Sequence, residues 1–210
     1  MFKHASITEI PEALLIKRLM SNPYRRPYLL SIRGIPPQSI PFQRVPLRGL
    51  PGGPEGDVDI LLCVPDQPGL ATAIEVKRIK VGTRALRNRR PNKLTGLRKG
   101  VRQANLLAGI GFWQVYLYVF VVVDSREQNA GRITYKGIPT ELQASIGRVI
   151  PPNGLDSRVG LMYLQFVQPM DYEPLHVGAD YCHLVRLAKP AAQSAAVTAW
   201  VAQVTAARPA

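Results

Sequence analysis

The sequence lacks several of the patterns that define common protein classes. It has only two cysteines, Cys63 and Cys182, far apart and without the paired spacing of a zinc site or a disulfide framework. A reducing cytosol suits such cysteine use. Its three histidines, His4, His176 and His183, are scattered and form no ligand or catalytic cluster. The opening segment MFKHASITEI has no apolar stretch of signal-peptide length after Lys3, and its acidic residue argues against a transit peptide, so a cytoplasmic protein is expected. Acid is scarce throughout: 14 Asp and Glu stand against 27 Lys and Arg, a net charge of +13. That excess is larger than solubility requires and makes a polyanion the expected partner, nucleic acid first and an anionic membrane surface second.

The one long apolar run, Leu106 to Val123, approaches the length of a membrane span. Gly109 and Gly111 split it, and the residues after them are aromatic and β-branched, which describes a helix end leading into a buried strand. The chain is long enough for one core, and one domain over 1–210 is expected, with a core over about 6–125 and a C-terminal extension over 126–210. A first helix is expected over 6–20, with Ser6 and Glu9 as a capping box and Pro11 in its first turn. The proline-crowded stretch 21–56 should be irregular, with one strand near Tyr28 to Ile32. A helix over about Leu94 to Ala108 and a strand over Trp113 to Val123 come next. The remainder should hold a short helix opening at Pro139, strands over Val159 to Val167 and Tyr181 to Leu187, and a helix over Ala191 to Ala207. Val197, Trp200, Val201 and Val204 give that last helix an apolar stripe for the sheet or a partner. A helix leading into a buried strand predicts an α/β fold with a central mixed β-sheet flanked by helices.

The chemistry lies in DVDILLCV, 57–64, and LATAIEVKRI, 70–79, two strand-like runs joined by Pro65-Asp66-Gln67-Pro68-Gly69. If that turn closes symmetrically, Val64 faces Leu70 and Asp59 faces Glu75. Alternation puts Lys77 on the face of Glu75, while Ile60, Leu62, Ile74 and Val76 point to the other face. Two opposed carboxylates among apolar residues repel each other, so something must compensate. Lys77 supplies one charge, and a hard divalent cation with oxygen ligands supplies more. Such a site suits phosphodiester hydrolysis, with Lys77 orienting or deprotonating the attacking water. Asp57 lies on the same face, as a third ligand or as a solvated residue at the strand entrance; the second reading is favoured.

At these residues, GDVDIL at 56–61 and then IEVK at 74–77, the sequence resembles the PD-(D/E)XK nuclease superfamily. The resemblance covers about 6–123; Val58 stands where the motif's proline would be. It implies a restriction-endonuclease-like αβββαβ core and Mg²⁺ or Mn²⁺ held by Asp59, Glu75 and the carbonyl of Val76. Lys77 would be the catalytic lysine and Gln103 a further catalytic-site residue on the next helix. An acidic residue of the first helix, Glu9 or Glu12, would complete the site.

Between Val76 and Val123 there is no acidic residue, while Arg78, Lys80, Arg84, Arg87, Arg89, Arg90, Lys93, Arg98, Lys99 and Arg102 crowd its N-terminal part, up to residue 102. The run is internal, between a core strand and an amphipathic helix, so it reads as a phosphate-binding surface rather than a tail. The expected activity is a metal-dependent DNase, acting alone, as a homodimer or with a partner protein. A non-catalytic DNA-binding module, a structural nucleic-acid-binding protein and a delivered toxin nuclease are the alternatives.

Overall fold

A computed structural model describes residues 3–23, 25–31, 33–50, 53, 55–82, 84, 95–127, 140–150, 154–172 and 179–207. The expected first helix is divided by its proline. Ser6 Oγ accepts from Thr8 N and caps a short 3-10 turn, Ile7–Glu9. Ile10, preceding a proline, is held extended (ψ 128°), and helix α1, Glu12–Ser21, starts afresh after Pro11. The stretch expected as a strand near Tyr28 to Ile32 is instead helix α2, Arg25–Ser31, whose Leu30 is buried with α1. Burial beside α1 overrides the strand preference of the local sequence.

Strand β1, Ile40–Pro46, falls where the prolines argue for irregular chain. It tolerates Pro41 and Pro46 because it is an edge strand, paired on one side only to β2, Asp57–Val64. β3 runs from Gln67 to Val81, starting three residues earlier than expected. Its turn from β2 is the two residues Pro65 and Asp66, the latter at φ +59°, so Val64 faces Gln67 and not Leu70. A bulge beyond Leu62 then absorbs the difference, and Leu62↔Thr72, Leu61↔Ala73 and Ile60↔Ile74 have the predicted register. Symmetric closure fails at the turn and holds from Leu62 to Ile60, one step short of Asp59 and Glu75.

Helix α3, Thr95–Ile110, crosses back over the sheet, so that β4, Gln114–Asp124, lies parallel to β3. Gly111, at φ +97°, ends that crossing. β4 is buried along its whole length, as a parallel strand covered on both faces should be, which accounts for the run that resembles a membrane span. Among the described residues no helix is long and apolar enough to cross a membrane. Helix α4, Thr140–Gly147, precedes β5, Gly160–Gln168, parallel to β4; β6, Ala179–Arg186, is antiparallel to β5. The result is an α/β fold with a six-stranded mixed sheet in the order β1-β2-β3-β4-β5-β6. Strands β5 and β6, beyond residue 125, extend that same sheet.

Each face of the sheet has its own core. On one, Ile60, Leu62, Ile74 and Val76 meet Leu15, Ile16 and Leu19 of α1. On the other, Leu61, Ala73, Leu117 and Val119 meet Leu97, Ala104 and Leu107 of α3. The last helix, α5, Ala195–Ala207, begins after Ser194, whose Oγ accepts from Val197 N. Its Val197, Trp200 and Val201 are buried on this second face, and Trp200 meets Phe112 edge-on at 6.0 Å. Full burial of such side chains stabilises by about 1.5–3 kcal/mol each. The apolar stripe therefore packs on the sheet.

Candidate metal and nucleic-acid site

The β2–β3 ladder ends at Ile60↔Ile74, so Asp59 and Glu75, expected to face each other, lie one step beyond the last paired residues. Here the sheet forks. The N–H of Val76 is taken by the Asp59 side chain, Oδ2 accepting at 2.7 Å, while β3 continues its pairing with β4 on the other side. The carbonyl of Val76 accepts from Lys77 Nζ at 3.0 Å, and the same ammonium is in close contact with Glu75 Oε1. Both peptide groups of Val76 are thus engaged by the side chains of the predicted motif. Glu75 is 1% exposed.

Charge at the fork is unbalanced. Burial, reinforced by Asp59 and opposed by Lys77, pushes the Glu75 carboxyl up to about 7. Burial raises Asp59 as well, against the lowering influence of the Val76 N–H and Lys77. Glu12, in the first turn of α1, is raised by burial and then by Asp59. Of the two acidic candidates in the first helix, Glu12 is therefore the one within electrostatic reach; Glu9 sits in the preceding 3-10 turn and is exposed. Arg78, expected as a phosphate ligand, instead donates to the carbonyl of Ile10 and ties down the chain just ahead of Glu12. It points to the α1 face, opposite Lys77, because side chains alternate along β3.

Gln103 of α3 lines a small cavity of about 30 Å³ together with Glu75 and Asp57, and its buried Oε1 has no hydrogen-bond partner among the described residues. A buried acceptor without a donor is expensive unless a water, an ion or a substrate group supplies one. Asp57 is half-buried and 3.5 Å from Arg44 Nε, so it is neither simply solvated nor part of the Glu75–Lys77 contact. Arg44 is not foreseen from the sequence. It holds a left-handed backbone (φ 50°) in the edge strand, is well exposed, and its charge opposes, without reversing, the rise of the Asp59 and Glu12 carboxyls. Its only sequence signal is a basic residue between two strand-like apolar positions, Phe42 and Val45.

The donors gathered here are all oxygens: two carboxylates, one carbonyl, a third carboxylate nearby and the orphaned Gln103 amide. That set suits Mg²⁺ or Mn²⁺, which need only one or two carboxylates beside water and phosphate oxygens. The Lys77 ammonium already rests on two of these groups, Glu75 and the Val76 carbonyl, so a cation is accepted at this place. Among the described residues no group of three or more His, Cys, Asp or Glu is placed so that it could hold a metal ion by itself. The residues present fit an open site with water and substrate completing it.

Of the basic residues, Lys80, Arg84, Arg98, Lys99 and Arg102 are exposed. Arg87, Arg89, Arg90 and Lys93 lie outside the described residues. A larger cavity of about 620 Å³ is elsewhere, between α4 and the β5–β6 edge, lined by apolar residues such as Ile146, Leu161 and Val185. No family model, no curated protein and no solved structure matches this chain.

Proposed function

We propose that this chain is a divalent-metal-dependent nuclease that hydrolyses DNA phosphodiester bonds at the β2–β3 fork. The observation that carries the reading is the engagement of Val76 by both neighbours: Asp59 takes its N–H, and Lys77, bound to Glu75, takes its carbonyl. A salt-bridge cluster on an exposed face would not need a buried Glu75 or a forked sheet. The pattern of motif and succeeding helix resembles the PD-(D/E)XK nucleases, and that resemblance supports Mg²⁺ or Mn²⁺ as cofactor.

Asp59, Glu75 and the Val76 carbonyl would hold the cation, with Glu12 adding negative charge. When bound, it supplies charge neutralisation at the phosphate and makes water more acidic. Lys77 Nζ has three donors and, among the described residues, two acceptors beside it, which leaves one donor for the attacking water or a phosphate oxygen. The Gln103 amide oxygen orients water or a substrate group from the α3 side. Exposed Arg98, Lys99 and Arg102 hold the backbone of the duplex through sequence-independent phosphate contacts. A reducing cytoplasm is the compartment in which Cys63 and Cys182 stay unpaired.

The test is incubation of the purified protein with plasmid, linear and branched DNA and with RNA, in Mg²⁺, Mn²⁺ or EDTA. Metal-dependent DNA cleavage is expected, and it should be lost in Asp59→Ala. Intact DNA under every metal condition, or equal cutting by the variant, would overturn the assignment. DNA retention without cutting would favour the binding-module alternative.

A further inference from the structure

We infer that Gly100 is a positioning residue, an opening in α3 through which the Lys77 stem passes to reach Glu75 and the Val76 carbonyl. Glycine is a poor choice for the middle of a 16-residue helix, where it is disfavoured against alanine by maximal backbone entropy. Gly100 is buried and carries no left-handed backbone that would require glycine. Steric space is the remaining reason, and the neighbour that demands it is specific. A Cβ at 100 would lie 2.4 Å from Lys77 Cγ and 3.2 Å from both Cδ and Cε. Contact at Cγ is contact near the root of the side chain, so a rotation about its far end does not relieve it.

The same helix contains its own controls. At Gly96 and Gly109 an added Cβ meets nothing within 4 Å among the described residues. Three glycines therefore sit on one helix, and only at the one facing β3 is the space of a methyl already occupied. Lys77 is 20% exposed, held between α3 and the strand, and its ammonium ends on the two groups that define the fork. Any methyl at 100 must either push α3 away from the sheet or turn Lys77 out of the fork. In the second case Glu75 and Asp59 lose their nearest cation. Gly100 thus acts through Lys77, and its catalytic consequence rests on the nuclease reading above; its steric coupling to Lys77 does not.

The experiment is a double-variant cycle read by thermal unfolding, with Gly100→Ala made in the wild type and in Lys77→Ala, beside Gly109→Ala. Gly109→Ala should raise Tm by about 1–4 °C in either background through helix propensity. Gly100→Ala should lower Tm in the wild type and raise it in Lys77→Ala, where the stem is gone and the methyl fills its place. That inversion of sign is the signature. A Tm rise for Gly100→Ala in the wild type equal to that of Gly109→Ala would overturn the inference, and so would the same Tm loss in both backgrounds. If Gly100→Ala in the wild type does not fold, folding of the double variant with a higher Tm than Lys77→Ala still decides for it, and failure of both decides against it. A second readout separates positioning from plain packing: in folded Gly100→Ala, kcat for DNA cleavage should fall at least tenfold while DNA affinity measured in EDTA stays unchanged. Sign inversion in a protein that cuts nothing would keep the steric inference and reject the nuclease reading.

Discussion

Two buried ionic clusters, each with carboxylates and one long cation, behave in opposite ways. At the end of β4, Asp124 is met by Arg126 through Nε at 2.9 Å and Nη2 at 2.8 Å, and Arg126 also bonds Asp171 at 3.0 Å and the carbonyl of His4 at 2.8 Å. Asp171 accepts in addition from the backbone of Lys3 and His4. Burial would raise Asp124, but hydrogen bonds from Arg126 and Ser6 outweigh it and hold the carboxyl below its usual range. At the fork, burial raises both Glu75 and Asp59, and the single ammonium of Lys77, in contact with Glu75 and the Val76 carbonyl and reaching Asp59 only through space, does not outweigh it. Burial alone does not separate a charge-balanced cluster from an unbalanced one. The number of donors per carboxylate oxygen does, and the fork is short of them.

The largest effect that would sharpen this contrast is on activity. Asp59→Asn or Lys77→Met should reduce DNA cleavage on the order of a thousandfold while leaving the fold intact, as read by plasmid nicking and circular dichroism. Comparable cutting by either variant would place the chemistry elsewhere. Next, Arg126→Met should destabilise by about 3–5 kcal/mol in denaturant unfolding, since it leaves Asp124 buried without its cation. Cleavage per folded molecule should be unchanged. A stability loss under about 1 kcal/mol would mean that the N-terminal segment is not latched by this pair.

The two clusters should also show opposite pH dependence. Glu75 is raised to about 7 in the folded chain, above its unfolded value near 4.5, so the folded state binds the extra proton between those values. Its contribution to stability is full below about 4.5 and is lost as pH rises through about 7. Asp124 is lowered, so its contribution is present above its unfolded value near 3.8 and is lost as pH falls below it. Glu75→Gln should flatten the stability profile between pH 4.5 and 7 and leave the acid limb alone, as measured by denaturant midpoints. An unchanged profile would mean that Glu75 is ionised at no cost. The smallest effect concerns the exposed face of α3: replacing Arg98, Lys99 and Arg102 together by Ala should reduce the slope of log binding constant against log salt by up to about 2.7. An unaltered slope would remove that face from the DNA path.

The features legible in the sequence and those hidden in it divide on physical grounds. The hairpin, α3 and β4 are legible because alternation and helical periodicity there agree with burial. Asp59, Glu75 and Lys77 could be placed on one face because side-chain alternation survives any even error in register, and the bulge between Leu62 and Val64 happens to lie on the turn side of the site. Edge pairing hides β1, since Pro41 and Pro46 are tolerable only in a strand with one neighbour. α2 reads wrongly because YLLSI carries strand preference, whereas Arg25–Ser31 is helical with Leu30 buried beside α1. Gly100 and Arg44 are illegible for a different reason: their significance is a distance to a residue remote in the chain, and no local pattern encodes it.

Acceptance of a divalent cation by the fork is the central claim, and calorimetric titration of Mn²⁺ into the protein at about pH 8, above the range in which Glu75 titrates, measures it directly. The predicted result is saturable binding that is abolished in Asp59→Asn and weakens as pH is lowered below about 7, on the order of tenfold per unit, as Glu75 takes up its proton. Absence of Mn²⁺ binding to the wild type, or equal binding by Asp59→Asn, would contradict it.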